Sequence, residues 1–377
     1  MSWMETTAVT QRREFLALHA QHTVPVAELC RRFGISRKTG YKWLGRHGDP
    51  NDRSRRPLSS PLHTPAEVEV QVIALRQRHP AWGGRKISRR LTDLGIARVP
   101  QPSTVTHILR RHGLLAARGA GHGDPYQRFE HAAPNALWQM DFKGDFPLSA
   151  GRCYPLTALD DHSRFNLVLR SLGGQSADLV RPQLQAAFER YGLPERINTD
   201  NGAPWGSPRV PGQSLSQLAI WLVRLGIRIS FSTPGHPQTN GKQERFHRSL
   251  KAEVLNGCSF HDHVHAQNAF DRWRAIYNHE RPHDAIGLAV PASRYRPSTR
   301  AYSQTLPPIH YGPDDIVATV GWNGAVIFKG RHLRVSSALK DQPIAFRPRT
   351  SQDGVYDLYY CHHRFTELHL RETKIDD

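Results

Sequence analysis

Cysteine is scarce in this sequence, and no two cysteines are close together. The 377 residues include only Cys30, Cys153, Cys258 and Cys361, and none belongs to a Cys-x-x-Cys motif. Such spacing argues against a disulfide framework and against a thiolate zinc site, and it fits a reducing cytosol. Cys361 precedes two histidines, but one cysteine and two adjacent histidines cannot easily surround zinc.

Long apolar runs are missing as well. No segment approaches the roughly 20 apolar residues of a membrane-spanning helix, and the first five residues lack the basic and apolar regions of a signal peptide. We therefore expect a cytoplasmic protein without a membrane partner. Hydrophobic residues make up 38% of the chain, enough to fill the cores of a folded protein with more than one domain.

Acidic residues are outnumbered by basic ones, most strongly near the N-terminus. The chain has 33 Asp plus Glu against 51 Lys plus Arg, a net charge of +18. Residues 1–124 hold 21 of the basic and 9 of the acidic side chains, which leaves 30 and 24 for the much longer remainder. This front part is therefore the strongest candidate for a phosphate-binding surface.

Residues 1–48 contain a helix-turn-helix pattern. Two short amphipathic segments between Val26 and Leu44 are separated by Gly34, and Ser36 is placed to cap the second segment. The apolar positions would form the inside of the motif, and we expect basic side chains to face a DNA groove. These side chains are Arg37, Lys38, Lys42 and Arg46. An ordinary helical hairpin stays open as the alternative.

A basic linker and a second helical unit follow. The linker, residues 49–63, carries Arg53, Arg55 and Arg56, which could follow a DNA backbone or enter a minor groove, or could belong to a solvated spacer. In residues 64–118, two capped helical segments predict a second helix-turn-helix. Its expected DNA-binding residues are Arg85, Lys86, Arg110 and Arg111. Two such units joined by a basic linker suit a long DNA site.

The pattern changes after a glycine- and proline-rich linker at residues 119–136. Residues 137–298 alternate between strand and helix patterns and predict an α/β domain with a mixed sheet. The predicted strands are 137–147, 154–159, 166–172 and 196–199, and the predicted helices are 177–191, 214–225 and 241–255. Residues 299–377 contain short β patterns divided by Asn-Gly, Lys-Gly and Asp-Gly pairs, which predicts a small C-terminal β-barrel for DNA binding or assembly.

Three carboxylates stand out within residues 137–298. Asp141 lies inside the first predicted strand, Asp200 ends a later strand, and Glu244 lies in the first turns of a helix. These positions can converge on one point, where carboxylate oxygens would bind the two Mg²⁺ ions used in phosphodiester chemistry. Taken singly, each acid also has a structural explanation as a turn residue or a helix-stabilising charge. Arg248 and Lys251 share the helix face of Glu244 and could bind phosphates.

Other polar residues near these three carry weaker signals. Asp145, Asp160 and Asp161 are competing carboxylates, for which a structural role is the more common explanation. The loop before Glu244 is rich in proline and glycine, and its polar side chains could contact substrate DNA or be ordinary loop residues. These side chains are His236, Gln238 and Asn240.

Five motifs in this order resemble the retroviral-integrase-type catalytic core of bacterial insertion-sequence transposases. They are Trp138-Gln-Met-Asp141-Phe, Leu159-Asp-Asp-His-Ser-Arg164, Thr199-Asp200-Asn-Gly202, Pro234-Gly-His-Pro-Gln-Thr-Asn240-Gly-Lys-Gln-Glu244-Arg-Phe-His-Arg248-Ser-Leu-Lys251 and Tyr277-Asn-His-Glu-Arg-Pro-His283. The resemblance implies an RNase H-like fold in which Asp141, Asp200 and Glu244 are catalytic and bind two Mg²⁺, for which Mn²⁺ can substitute. It also implies cleavage at transposon ends and transfer of the freed 3′-hydroxyl to target DNA. We further expect a homo-oligomer bound to terminal inverted repeats in the bacterial nucleoid.

Two alternatives stay open. A domesticated DNA-binding regulator would keep the helix-turn-helix units and lose catalysis, but here all three carboxylates are present. A metal-dependent nuclease of RNase H type would cut DNA without joining it. Two DNA-reading units ahead of the core favour recognition of specific ends, and therefore transposition.

Overall fold

The chain folds into two compact units. The computed structural model describes residues 7–54, 63–115, 130–206, 215–232 and 241–370. Contacts divide the chain into Met1–His63 and Thr64–Asp377. Among the residues described, no helix is long and apolar enough to cross a membrane.

The first unit is built from three helices, α1 (Ala8–Ala20), α2 (Val26–Arg32) and α3 (Arg37–Leu44). Its buried centre consists of Phe15, Leu29 and Cys30. Gly34 makes the turn between α2 and α3 with φ +63°, a left-handed conformation that glycine adopts without a Cβ clash. The hydroxyl of Ser36 accepts a hydrogen bond from an amide in the first turn of α3 and caps this helix. The predicted helix-turn-helix is confirmed.

The second unit begins with three more helices, α4 (Ala66–Arg78), α5 (Gly84–Asp93) and α6 (Pro102–Arg111). Pro102 occupies the first turn of α6, where its missing amide hydrogen leaves no helical bond unmade. The three helices share a core of Val72, Leu75, Trp82, Ile87, Leu91, Val105, Ile108 and Leu109. α5 and α6 are the second predicted helix-turn-helix.

A six-stranded mixed sheet forms the centre of the second unit. Its strands are β1 (Trp138–Phe142), β2 (Phe146–Pro147), β3 (Arg152–Asp160), β4 (Asn166–Leu172), β5 (Arg196–Thr199) and β6 (Arg228–Phe231). β1 pairs antiparallel with β3 and parallel with β5, and β5 pairs parallel with β6. β3 also pairs with β4 and, at its start, with β2. β1 therefore lies in the middle of the sheet.

Helices cover both faces of this sheet. They are α7 (Ala177–Tyr191), α8 (Gln217–Arg224), α9 (Gly241–Leu250) and α10 (His263–His279), followed by the short α11 (Pro291–Arg294). Successive strand residues point to opposite faces, so Ala158 packs in the cluster with α7 and α8, whereas Leu159 packs in the cluster with α9 and α10. The catalytic-core prediction of a mixed α/β sheet is confirmed.

Several boundaries differ from the predicted ones. The strand predicted over 137–147 is interrupted after Phe142, because Gly144 takes φ +86° and the chain leaves the sheet before β2. The predicted elements do not include β6 or α10, although Ala266, Phe270, Trp273 and Tyr277 of α10 are buried at helical spacing. The helix predicted over 241–255 continues beyond Leu250 as a π-helical segment, Lys251–Leu255.

The C-terminal part is built from β7 (Ile316–Thr319), β8 (Ala325–Phe328), β9 (Arg331–Arg334), β10 (Pro343–Pro348), β11 (Val355–Tyr360) and β12 (His363–His369). A four-stranded antiparallel sheet has the order β12-β11-β10-β7, and β8 and β9 form a separate two-stranded ribbon. The β-rich prediction is confirmed, but the described strands do not close into the expected barrel. Ala219 and Val223 of α8 pack into the core of this part.

The close approach of α5 and α6 at Gly84 leads to the first prediction. A Cβ at this position would lie 2.4 Å from the Pro102 carbonyl oxygen and 2.4 Å from Thr106 Oγ1. We expect Gly84→Ala to destabilise the second unit by about 1–3 kcal/mol, because the helices must separate. Urea unfolding followed by circular dichroism measures the shift. Gly83→Ala is the control, because a Cβ there meets nothing within 4 Å; equal midpoints for both variants would contradict the prediction.

Candidate active site and DNA-binding surfaces

The three predicted carboxylates lie on three adjoining elements. Asp141 is the fourth residue of β1, Asp200 directly follows β5, and Glu244 is in the first turn of α9. Because β1 and β5 are parallel neighbours, their carboxyl ends meet at the same edge of the sheet. Asp141 is half-buried, whereas Asp200 and Glu244 are exposed. The fold thus places one shielded and two accessible carboxylates in one region.

The charges of these residues act on one another. Burial and, after it, the carboxylates of Asp200 and Glu244 together raise the pKa of Asp141 to about 6, against the opposing effects of the Phe142 amide and Lys143. The Phe142 amide donates a hydrogen bond of 2.8 Å to the Asp141 carboxylate. Burial and two like charges destabilise the ionised form of Asp141, and a nearby cation would stabilise it.

The oxygen ligands that these residues offer are of the kind that a hard divalent cation binds. Carboxylate oxygens are the ligands that Mg²⁺ prefers, and Asp200 lies beside Asn201, whose buried side-chain oxygen has no hydrogen-bond partner. The Gly202 amide donates a hydrogen bond of 3.2 Å to the Asp200 carboxylate. Over the part of the chain that the structure describes, no three His, Cys, Asp or Glu side chains surround a common point. The acids are gathered in one region without forming a closed ligand set.

Buried polar contacts fix α9 against the sheet. Thr157 Oγ1 donates a hydrogen bond of 2.8 Å to the Asp141 carbonyl, and it lies 2.9 Å from His247 Nε2. Since the hydroxyl hydrogen is used on the carbonyl, Nε2–H of a neutral His247 is the donor in the second bond. Burial, aided by Lys143, lowers the pKa of His247 to about 3, which is consistent with a neutral ring. Gln243 Nε2 donates to the Gln139 carbonyl of β1.

Asp161 belongs to this same network. The Lys242 ammonium forms a salt bridge with its Oδ1, and Gln139 Nε2 donates to the same oxygen at 2.9 Å. The His131 amide donates to Oδ2, also at 2.9 Å. Asp161 therefore connects α9 to β1.

Asp160 and Asp145 also have structural partners. Burial raises the pKa of Asp160, and its carboxylate accepts hydrogen bonds from Asn135 N and from both donors of Ser163. Asp145 lies outside the sheet, in a salt bridge with Arg152. The strand predicted over 137–147 would place Asp145 on the same face as Asp141, and this is wrong because β1 ends at Phe142.

Apolar residues on one side of α9 and of the π-helical segment after it are packed against α10. Phe246, Leu250 and Val254 are buried in a cluster with residues of α10, as their spacing predicts. Close by, the buried guanidinium of Arg281 donates to Glu253 at 2.9 Å and to Ser249 at 3.1 Å. Arg248 and Lys251 are exposed. The helix thus buries one side and presents Glu244 with two cations on the surface.

The exposed side of α3 carries most of the predicted DNA contacts of the first unit. Arg37, Lys38 and Lys42 are exposed. Arg46, in contrast, makes contacts within the protein. Its guanidinium lies 4.2 Å from the Trp43 ring centroid and donates a hydrogen bond of 2.9 Å to the Asn51 carbonyl. The sequence analysis missed Tyr41, which is 62% exposed between the two lysines. Its position three residues after Lys38 could have identified it as part of the same helix face.

The predicted basic residues of α5 lie beside an acidic residue that follows α10. Arg85 Nη1 lies 3.2 Å from Asp284 Oδ1, and Lys86 Nζ lies 4.0 Å from Asp284 Oδ2. Burial, followed by the charge of Arg281, lowers the pKa of Lys86 to about 8. Arg90 forms a further ion pair of 2.6 Å with Glu280. Arg85, Lys86 and Arg90 of α5 therefore pair with acidic residues that follow α10, although Arg85 is two-thirds exposed.

Several side chains of α6, the second helix of this motif, are exposed to solvent. Arg110 is exposed and lies 3.5 Å from His107 Nδ1, while Arg111 pairs with Glu69 at 2.5 Å. Ser103, Thr104 and His107 are exposed on α6 and were not among the predicted contacts. Arg53 lies in the described part of the linker. Five predicted contacts lie outside the described residues: Arg55, Arg56, His236, Gln238 and Asn240.

Family models match several parts of the chain. Two models described as integrase core domain match residues 131–237 and 225–291. A helix-turn-helix domain matches residues 11–57, and a homeodomain-like domain matches residues 39–109. Residues 315–376 match the C-terminal domain of the IS481 family transposases.

Curated relatives come from bacterial insertion elements. The transposase for insertion sequence element IS904 from Lactococcus lactis subsp. lactis is 30% identical over 255 residues, which cover 63% of this chain and 96% of the relative. An uncharacterized 39.2 kDa protein of insertion element IS476 from Xanthomonas euvesicatoria is 28% identical over 302 residues, covering 76% of this chain and 78% of the relative. Among solved structures, the HTLV-2 integrase catalytic core domain in complex with magnesium has a TM-score of 0.34 and 17% identity, covering 44% of this chain and 99% of that one.

The raised pKa of Asp141 predicts a particular dependence of stability on pH. The pKa of Asp141 is about 6 in the folded protein and 3.8 in an unfolded chain, so the folded state loses stability as pH rises between these values and stays less stable above them. We expect Asp141→Asn to stabilise the metal-free protein by about 1–3 kcal/mol near pH 7.5, with no gain near pH 4.

Urea unfolding in a chelating buffer at both pH values measures this difference. Asp145→Asn is the control, since Asp145 is exposed and paired with Arg152. A gain for Asp141→Asn of the same size at both pH values would contradict the prediction.

Proposed function

Since this chain belongs to the insertion-sequence transposases and carries their integrase core domain, we propose that its phosphodiester chemistry takes place at Asp141, Asp200 and Glu244. The observation that carries this assignment is the position of the three residues on adjoining elements, near enough for the charges of Asp200 and Glu244 to act with burial in raising the pKa of Asp141. Three like charges are gathered where a central strand, the end of its parallel neighbour and a helix meet. A divalent cation would relieve their repulsion.

The proposed ligands are the carboxylate oxygens of these three residues, with Mg²⁺ as the physiological ion and Mn²⁺ as a substitute. When bound, two such ions supply activation of the attacking oxygen and stabilisation of the leaving one. Arg248 and Lys251 lie on the exposed side of the Glu244 helix, where they would bind phosphates of the DNA strand. The neutral ring of His247 and the hydroxyl of Thr157 hold the backbone of Asp141.

The reaction that we propose has two steps, and each step breaks one P–O bond and forms another. Water attacks the phosphodiester at a transposon end, which leaves a free 3′-hydroxyl. That hydroxyl then attacks a phosphodiester of the target DNA, joins to its phosphorus and releases the target's own 3′-hydroxyl. No covalent bond to the protein is required.

DNA recognition is assigned to the helical parts of the chain. We take residues 1–48 and 64–118 as DNA-reading domains joined by the basic linker 49–63, residues 137–298 as the catalytic domain after the linker 119–136, and residues 299–377 as a C-terminal DNA-binding or assembly domain. The exposed basic face of α3 and the exposed polar face of α6 support this division. Two transposon ends must be held together, so we expect a homo-oligomer on DNA in the bacterial nucleoid.

Glu244→Gln tests the catalytic assignment, because it keeps the shape of the side chain and removes its charge. We expect at least a 100-fold loss of both end cleavage and strand joining, on the order of the effect of removing a transition-state charge stabiliser. The assay uses labelled DNA that carries the ends flanking the gene, a plasmid target, and Mg²⁺ or Mn²⁺.

Asp145→Asn is the matched control and should keep both activities, since Asp145 pairs with Arg152 on a loop. Cleavage without joining by the wild type would favour a nuclease. Tight binding of the ends without chemistry under either metal would favour a regulator. Full activity of Glu244→Gln would remove Glu244 from the site.

The exposed cations of α3 predict a salt effect on DNA binding. Replacing Lys38 and Lys42 by alanine removes two exposed positive charges, so the slope of log Kd against log salt concentration should fall by about 2. Fluorescence anisotropy with end DNA at several salt concentrations measures the slope. Arg31→Ala, which removes an exposed cation of α2 paired with Glu28, is the control and should change the slope by less. An unchanged slope in the double variant would place the DNA elsewhere.

A further inference from the structure

A buried ion pair joins the end of the Glu244 helix to the segment after α10. Arg281 Nε donates a hydrogen bond of 2.9 Å to Glu253 Oε1, and each of these two side chains is only 7% exposed. The other carboxylate oxygen of Glu253 accepts a hydrogen bond of 2.8 Å from Trp273 Nε1 of α10. Arg281 Nη2 also donates to Ser249 Oγ at 3.1 Å. One guanidinium therefore holds two residues that are four positions apart on α9 and its continuation.

The continuation of α9 has an unusual helical geometry. Lys251–Leu255 is a π-helical turn, in which the Asn256 amide donates a hydrogen bond of 2.8 Å to the Lys251 carbonyl, five residues back. Such turns are rare and occur mostly as single turns in α-helices, often at functional sites. A change to α-helical bonding would shorten each hydrogen-bonded turn by one residue. It would therefore rotate the side chains of this segment relative to those of α9.

The ion pair is suited to selecting the π-helical geometry. Replacing a buried ion pair by uncharged residues of similar volume is often neutral or stabilising, because both ions lose their water on burial. Its best-attested use is to select one of two alternative registers. Glu253 lies inside the π turn, and each of its oxygens has a separate partner outside the helix. A change to α-helical bonding would turn Glu253 relative to both partners.

Lys251 is the exposed cation whose direction depends on this turn. It begins the π turn, lies between Ser249 and Glu253, and is exposed. We propose that the Arg281–Glu253 pair maintains the π turn and thereby holds Lys251 where it binds a phosphate of the DNA strand. Arg281 is thus a positioning residue that acts through Lys251. This inference rests on the proposed function, in which Lys251 is assigned to DNA phosphates.

A paired substitution separates positioning from stability. Arg281→Met together with Glu253→Gln removes both charges, keeps similar volumes and leaves an oxygen for Trp273 Nε1. We expect urea unfolding close to that of the wild type. The Kd for end DNA, measured by fluorescence anisotropy in a chelating buffer, should rise about 10-fold, on the order of one charge-assisted contact. Arg281→Lys keeps the charge without the two-pronged geometry, and its Kd should lie between the two.

A double-mutant cycle identifies the residue through which the pair acts. Lys251→Ala should raise the Kd by about the same factor as the paired substitution. Adding the paired substitution to Lys251→Ala should cause no further rise, because the side chain that the pair positions is already absent. Arg272→Met is the control for the loss of one arginine, since Arg272 is exposed on α10, and it should leave the Kd unchanged.

The kinetics of strand joining give a second readout, which a loss of stability would not produce. Lys251 lies about 10 Å along the helix axis from Glu244, at a rise of about 1.5 Å per residue. A phosphate contact at this distance from the reacting bond acts equally in the ground and transition states, so the paired substitution should raise the KM for end DNA and keep kcat. A lower kcat with an unchanged KM would indicate a smaller folded fraction and would overturn the inference.

The remaining outcomes distinguish this inference from the proposed function. An equal rise in the Kd from the paired substitution with and without Lys251→Ala would overturn the inference, and so would an equal rise in Arg272→Met. End cleavage and joining by the wild type, with an unchanged Kd in the paired variant, would overturn it and leave the catalytic assignment intact. The expected cycle in DNA binding, without any chemistry under either metal, would support the inference and contradict the catalytic assignment.

Discussion

Like charges at the carboxyl end of the central strands repel one another, so the folded state forms only where other contacts hold them in place. Burial and the charges of Asp200 and Glu244 both disfavour an ionised Asp141. β1 is held on one side by β3 and on the other by β5. α9 is held by the apolar cluster beneath it and by polar contacts to β1 and β3. A frame fixed from several sides can maintain an unfavourable charge arrangement, which is a common property of functional sites.

The sequence predicts local structure well where one pattern continues without interruption. β4, α7 and β5 occupy the residues predicted for them, and the strand end at Asp200 and the helix start before Glu244 were enough to select two residues of the proposed site. Partners far apart in the chain are not accessible in this way. Lys242 meets Asp161 across 81 residues and Gln243 meets Gln139 across 104, and no local periodicity contains information about such pairings.

Surface charge is a second property that the sequence describes incompletely. Counting basic residues treats every cation alike, but Arg46 is stacked on Trp43 and Lys86 faces Asp284. Tyr41 carries no charge and is nevertheless 62% exposed. The local excess of positive charge identified the region that suits DNA, whereas packing decides which side chains remain accessible to it.

The three helices α4, α5 and α6 are joined to the catalytic part by ion pairs and by an apolar contact. Arg90 pairs with Glu280, Asp284 lies beside Arg85 and Lys86, and Ile276 of α10 packs against the trio's apolar core. Replacing the trio by an unrelated one would leave two acids unpaired and an apolar side chain uncovered. With α6 assigned to DNA reading as proposed, new end sequences would be more easily acquired by substitutions on its exposed face than by exchange of all three helices.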